Sequence, residues 1–239
     1  MHYISILSTV VTLAFTVAVF NRYLQKGGTH LLLWSIGLLL YGLGTLGEAL
    51  MLFTFSPLAL KIWYLSGAML TAAWLGEGTI HLLVRRRGVA LTFTLILAVV
   101  SLSAITLVML APITPAAAAF NVNLPLTAQY RDILTRNGFV VLLTILLNTY
   151  GTFTLVGGAI YSAYIFWRKR VLFNRMIGNI LIAVGAMMPA MGGTFLKLGL
   201  PDWLYLSEFL GVVLMYVGFL QATARETVKE NAPVVAPVN

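Results

Sequence analysis

Seven long apolar stretches, parted by polar breaks, fill almost all of this 239-residue chain. They run over 4–22, 30–54, 58–83, 89–112, 139–166, 174–197 and 203–224. As helices rising about 1.5 Å per residue, each is long enough to cross roughly 30 Å of hydrocarbon. With 60% hydrophobic and 9% charged residues, the chain holds more apolar surface than a soluble domain can enclose. Lipid is therefore the expected solvent. The stretches lack the period-two alternation of a membrane barrel, which leaves helices as the structure that satisfies its own backbone hydrogen bonds inside lipid. The expected fold is an all-α membrane protein of seven transmembrane helices.

Lys and Arg collect in every second break. Arg22, Lys26, Arg85, Arg86, Arg87, Arg168, Lys169, Arg170, Arg175, Arg225 and Lys229 fall on one side, and Lys61, Arg131, Arg136 and Lys197 on the other. The positive-inside rule places the larger group in the cytoplasm, so the N-terminus is expected outside and the C-terminus inside a multi-pass cell membrane, of prokaryotic plasma-membrane type. The formal charge of +8 is then mostly a topogenic signal, with attraction to the lipid bilayer added. The cations are spread over short loops without a basic, aromatic-interleaved element, which argues against nucleic acid.

The chain has no cysteine, which removes disulfides, thiolate catalysis and cysteine metal sites. No basic n-region or small-residue cleavage site precedes the first stretch, which reads as a retained helix. Residues 1–224 are expected to form one seven-helix transmembrane domain and 225–239, polar and then Pro/Val-rich, a disordered cytoplasmic tail. The one long external connection is 113–138. Within it, Leu126, Tyr130, Ile133 and Leu134 share a helical face while Gln129, Arg131 and Asp132 point away, the pattern of a surface helix or of a solvated loop with one frayed turn.

Sliding the chain by 141 residues aligns the first three stretches with the last three. Ile36-Gly37 falls on Ile177-Gly178, Gly44 on Gly185, and Tyr64-Leu65-Ser66 on Tyr205-Leu206-Ser207. A 3+1+3 internal repeat is one reading and chance identity in apolar sequence the other. Gly37 and Gly44, like Gly178 and Gly185, stand one heptad apart and mark faces for close helix approach. Pro189, followed by Gly192 and Gly193, is expected to kink or loosen the sixth stretch, as a hinge or simply for packing.

Ionisable groups within hydrocarbon are costly, so they point to function. Glu48 and Glu208 lie at similar depth toward the outer side, with Lys61, Trp63, Tyr64 and Tyr205 nearby; these six are the candidate ligand-binding residues. Protonation, Lys61, Lys197 or a cationic ligand would neutralise the glutamates. The aromatics, Trp203 included, also fit a simple interfacial belt. Toward the cytoplasm, Glu77 and His81 are four residues apart on one helix face and form a candidate polar pair. With His30 they make too sparse a set for a metal, and a Glu–His hydrogen bond is the expected arrangement. No histidine pair suits haem, no lysine in the seventh stretch suits retinal, and no Ser/His dyad is evident. No catalytic residue, cofactor or metal is therefore expected, and the chain does not read as an enzyme.

The run Trp34-Ser-Ile-Gly-Leu-Leu-Leu-Tyr41, then Gly44 and Glu48, then Lys61-Ile-Trp63-Tyr64-Leu-Ser-Gly67, resembles the seven-helix sensory domain at the N-terminus of some bacterial histidine kinases. The resemblance covers about 220 residues by helix count and topology. It implies sensing without catalysis. The kinase portion of that family has no counterpart here, so output would pass to a protein partner in the membrane or at the cytoplasmic face. A structural or accessory subunit of a larger membrane complex and a small-solute transporter are the alternatives. Neither ligand nor oligomeric state is legible.

Overall fold

A computed structural model describes residues 3–169, 172–199 and 201–224; of residues 192–197, 201 and 202 it describes the backbone alone. The expected tail, 225–239, lies outside the described residues. The elements are α1 (Ile4–Lys26), α2 (Thr29–Leu50), α3 (Pro57–Leu83), α4 (Arg87–Leu110), the short surface helix α5 (Leu126–Ile133), α6 (Gly138–Lys169), α7 (Phe173–Lys197) and α8 (Pro201–Thr223). Among the described residues, six helices are long and apolar enough to cross a membrane: α1, α2, α3, α4, α6 and the Trp203–Thr223 part of α8. The chain is thus an all-helical protein of multi-pass membrane character.

Six helices pack as a closed ring in the order α1, α2, α3, α6, α7, α8, with α8 returning to α1, while α4 stands outside against α3 and α6. The sequence reason is visible helix by helix. Buried residues of α1 fall at Ser5, Ser8, Thr12, Phe15 and Val19, and those of α4 at Ala90, Leu97, Ser101, Ala104 and Val108. Both sets follow the three-and-four spacing of a single helical stripe. The exposed surface of α4 is mostly Leu, Ile, Val and Phe, as suits a helix with lipid on most sides.

Glycine sets the closest approaches. A Cβ on Gly44 of α2 would stand 2.6 Å from the Gly67 Cα of α3, and one on Gly185 of α7 would stand 2.6 Å from the Gly211 carbonyl oxygen of α8. The two heptad-spaced glycine pairs therefore seat two different helix crossings, as small residues do where backbones meet inside a membrane.

Helix ends differ from the apolar runs where local chemistry intervenes. α1 passes its polar Asn21 and Arg22 and stops at Gly27 and Gly28, whose φ values of 66° and 103° are open to glycine at little cost. α2 ends at Leu50 instead of continuing to residue 54, because Ser56 caps the next helix, accepting from the Ala59 N–H at 3.3 Å, with Pro57 behind it. Within α3, Trp63–Leu70 is wound as a π-helix, a form that favours functional sites and that no spacing in the sequence had indicated. Two side chains take up its loosened carbonyls. Thr71 Oγ1 donates to Ser66 O at 2.8 Å, and Asn148 Nδ2 of α6 donates to Ala68 O at 2.8 Å.

The long connection between α4 and α6 folds back on the bundle. Ile113 and Leu134 form an isolated antiparallel bridge, flanked by Thr114 N–H to Ile133 O at 2.9 Å and Thr135 N–H to Pro112 O at 3.1 Å. Between these ties the amphipathic stretch forms α5, with Leu126, Ile133 and Leu134 buried and Arg131 and Asp132 exposed. The helix reading of this stretch holds, and the frayed-loop reading does not.

Candidate functional site

The end of the bundle remote from the Arg85–Arg87 cluster holds a group of four polar side chains. Tyr41 and Glu48 lie one heptad apart on α2, and Tyr205 and Glu208 lie three residues apart on α8, so each pair shares a helix face. Glu48 is only 3% exposed, and its Oε1 has no hydrogen-bond partner in the structure. Tyr205 stands beside the Glu48 carboxylate, and its hydroxyl oxygen accepts the Leu126 N–H of α5 at 3.2 Å. The Tyr41 hydroxyl donates to the backbone carbonyl of Glu208 at 3.0 Å. Glu208 lies near enough to Glu48 for its charge to act there.

Lys61 does not complete this group. Its ammonium donates to the Met109 carbonyl of α4 at 2.7 Å, capturing a free carbonyl in the last turn of that helix. The Lys197 side chain lies outside the described residues.

Trp63, Tyr64 and Tyr205 are buried in the bundle, which overturns their belt reading; Trp203 alone of the four is exposed. Trp63 and Tyr64 form a wall beneath α5. The Tyr130 ring lies 5.2 Å from Trp63 and 5.8 Å from Tyr64, centroid to centroid, and the Arg136 guanidinium sits 4.8 Å from Tyr130 and 5.8 Å from Tyr64. The stacking holds the cation against aromatic faces, while its Nε is buried without a hydrogen-bond partner among the described residues. Tyr64 also shares a 2.9 Å hydroxyl contact with Thr144 of α6.

At the basic end, Glu77 is fully buried and His81 Nε2 stands 3.5 Å from its Oε1. The structure joins this pair as expected and supplies partners the sequence did not single out. Thr94 of α4 donates to Glu77 Oε1 at 2.7 Å and meets His81 Nε2 at 2.7 Å, while the Tyr150 hydroxyl of α6 donates to Glu77 Oε2. The carboxylate is thereby satisfied on both oxygens, as a buried acid requires. His30 turns its ring edge-on to Trp34 at 5.4 Å and does not join Glu77. Pro189 sits inside α7, whose helix continues through it to Lys197, against Gly211 of α8. The Gly192 and Gly193 backbone remains in that helix.

Tyr41 and the hydroxyl stripe of α1 were absent from the sequence candidates. A Cβ on Gly42 would lie 3.7 Å from Thr12 Cγ2, so in these antiparallel helices Ser8 and Ser5 stand one and two turns nearer Glu48. The Ser8 hydroxyl is buried without a partner. Ser and Thr at three-and-four spacing with Phe15 and Val19 were the available signal, hidden because helix amphipathicity was sought in charges and not in hydroxyls. No protein-family model matches the chain, and no curated protein or solved structure matches it.

Proposed function

We propose that this chain is a non-enzymatic, seven-helix membrane sensor that binds a positive charge, a proton or a small cation, between Glu48 and Glu208, and passes the event to a partner protein. α7 is taken as the seventh span, with the N-terminus outside, the C-terminus in the cytoplasm and a prokaryotic plasma membrane around it. The observation that carries the reading is Tyr205, which stands beside Glu48 and whose hydroxyl accepts the Leu126 N–H in the first turn of α5. Two carboxylates side by side in a low-dielectric interior repel and lose their hydration, so the site is stable only when it carries compensating positive charge. When that charge arrives or leaves, the contact between Glu48 and Tyr205 changes and α5, held by the Tyr205 hydroxyl, feels it directly. α5 is then a lid, and α8, which bears Tyr205 and Glu208 and runs to the basic end, is the element that carries the signal inward. The resemblance to histidine-kinase sensory domains favours the same assignment, through Trp34, Gly44, Glu48 and the Trp63-Tyr64 pair.

The test is Glu48→Gln, which keeps shape and hydrogen bonding while deleting the charge. Expression and size-exclusion behaviour are expected to stay near the parent, while the dependence of lid protection on pH and on added cations is lost. An unaltered pH and cation response would sink the assignment and favour an accessory subunit, for which a stoichiometric complex in native mass spectrometry is the positive sign. A transporter built on a 3+1+3 repeat draws support from one observation, the similar glycine seats of α2 on α3 and of α7 on α8. Its test is substrate-independent: cysteines introduced at the two ends of the ring should change accessibility in opposite senses.

A further inference from the structure

The hydrogen bonds around Glu77, at the basic end and apart from the outer carboxyl pair, need one proton more than the hydroxyl at their centre holds. Thr94 Oγ1 lies 2.7 Å from Glu77 Oε1 and 2.7 Å from His81 Nε2. Each contact requires a hydrogen, and a hydroxyl has one. With Thr94 donating to the carboxylate, the second hydrogen belongs to His81 Nε2. The imidazole is then the Nε2–H tautomer, and its basic lone pair is on Nδ1. No described group bonds to Nδ1. His81 is in the last turn of α3 and keeps 13% of its side chain exposed, so water from the basic loops reaches this base.

Charge supplies its ligand. Glu77 is fully buried, and an ionised carboxylate inside a bundle is costly unless a cation stands by. Thr94 and the Tyr150 hydroxyl of α6 bond to it but bring no charge. His81 forms the one ion pair open to Glu77 among the described residues, at 3.5 Å, and only when protonated. The other titratable groups facing the junction do not replace it. His30 of α2 lies near enough to feel charge on His81, and a second cation there would repel the first. Arg85, Arg86 and Arg87, in the turn that leads into α4, are exposed to water.

The junction also has a mechanical place. α4 stands outside the ring, and polar ties hold it to α3 at three levels: Lys61 to Met109 at 2.7 Å, Trp74 to Ser101 at 3.2 Å, and Thr94 to the Glu77–His81 pair. Proton uptake at Nδ1 makes the His81–Thr94 bond charge-assisted and sets an imidazolium against the carboxylate. The tie at the basic end tightens.

We infer that Glu77 and His81 form an inner proton-binding site, filled from the basic side at His81 Nδ1, whose occupancy sets how firmly the basic end of α4 is held to α3. The proton comes from water and forms one N–H bond. The hold is present when the site is filled, at acid pH, and is lost as pH rises. The site is independent of the outer carboxyl pair.

The test uses the full chain in phosphatidylcholine nanodiscs, with its histidine rings labelled with nitrogen-15. The chain has three histidines, so His81 is assigned by His81→Gln and, independently, by His2→Gln and His30→Gln. At the alkaline end of the range in which imidazoles titrate, about pH 5 to 8, nitrogen NMR is expected to show Nε2 protonated and Nδ1 bare. On acidification Nδ1 should gain a proton while Nε2 keeps its own. Over the same range, hydrogen exchange of peptides covering residues 87–98, corrected for the intrinsic pH dependence of exchange, should slow about fivefold, the margin of a charge-assisted hydrogen bond over a neutral one. Peptides from α1 should keep their protection. His81→Gln, which retains a donor for Thr94 but takes up no proton, should lose the pH dependence. Thr94→Val should lose it too and raise exchange in 87–98 at both ends of the range. Glu48→Gln should leave the response of 87–98 intact whatever it does to α5, so the outer reading and this one fail separately. A proton on Nδ1 with Nε2 bare at the alkaline end, an imidazole in one charge state throughout, or exchange in 87–98 that ignores pH would overturn the site.

Discussion

Tyr205→Phe removes the oxygen that accepts from the start of α5, and its effect on that helix can be worked from the contact it breaks. In the parent, the hydroxyl accepts the Leu126 N–H at 3.2 Å and stands beside Glu48. Leu126 is 3% exposed, so its orphaned N–H has little access to water and the loss approaches the cost of a buried unsatisfied donor, about 1–3 kcal/mol. The lid keeps its other attachments: burial of Ile133 and Leu134, the Tyr130 contacts with Trp63 and Tyr64, and the backbone ties at Thr114 and Thr135. It should therefore stay docked while opening more often, by roughly fivefold to a hundredfold for that free-energy range. Hydrogen exchange resolved by mass spectrometry reads this directly, since amide protection in a locally opening segment follows its opening free energy. Peptides covering residues 126–134 are expected to lose that factor in protection, whereas peptides from α1 and α6 keep theirs. Unchanged exchange in 126–134 would refute the claim that the hydroxyl holds the lid. A uniform loss across the bundle would show instead that Tyr205 supports the fold as a whole.

Three further outcomes are expected. A reporter fused after Lys229 should be cytoplasmic and one inserted near Asn123 external; reversed locations would overturn the proposed orientation. Gly44→Ala should destabilise the detergent-solubilised protein by about 1–3 kcal/mol, since its methyl would meet Gly67 backbone that has no rotamer to yield. Gly88→Ala, with nothing within 4 Å of the new methyl, should leave the thermal transition in place, and equal effects would discredit the close α2–α3 crossing. Asn148→Leu leaves Ala68 O without its donor and should cost about 1–3 kcal/mol, with exchange rising first in Trp63–Leu70; unchanged protection there would mean that the π-helix does not depend on α6.

Much of the site's composition was legible because buried charge is rare in a chain of this kind. Glu48, Glu208, Glu77 and His81 stood out in apolar surroundings, and the structure places them as two separate groups at opposite ends of the bundle. Their partners were not legible. Thr94 and Tyr150 reach Glu77 from helices 17 and 73 residues away, and a threonine or tyrosine in an apolar run carries no mark of the acid it will meet. Lys61 misled for a related reason: its reach allows several acceptors, and the carbonyl of Met109 was nearer than the carboxylates.

The sequence by itself determined that the chain is a bundle of apolar helices with cations gathered at one end, and that α5 is amphipathic. Those properties depend on periodicity and transfer energy, which are local and additive along the chain. Tertiary structure alone decided which helices close the ring, that α3 relaxes into a π-helix over Trp63–Leu70, that Tyr205 stands beside Glu48 while holding the Leu126 N–H of α5, and that a cavity remains between Trp34 and Phe219. Each of these depends on where backbones meet, which glycine contacts such as Gly44 on Gly67 settle only after the helices have docked.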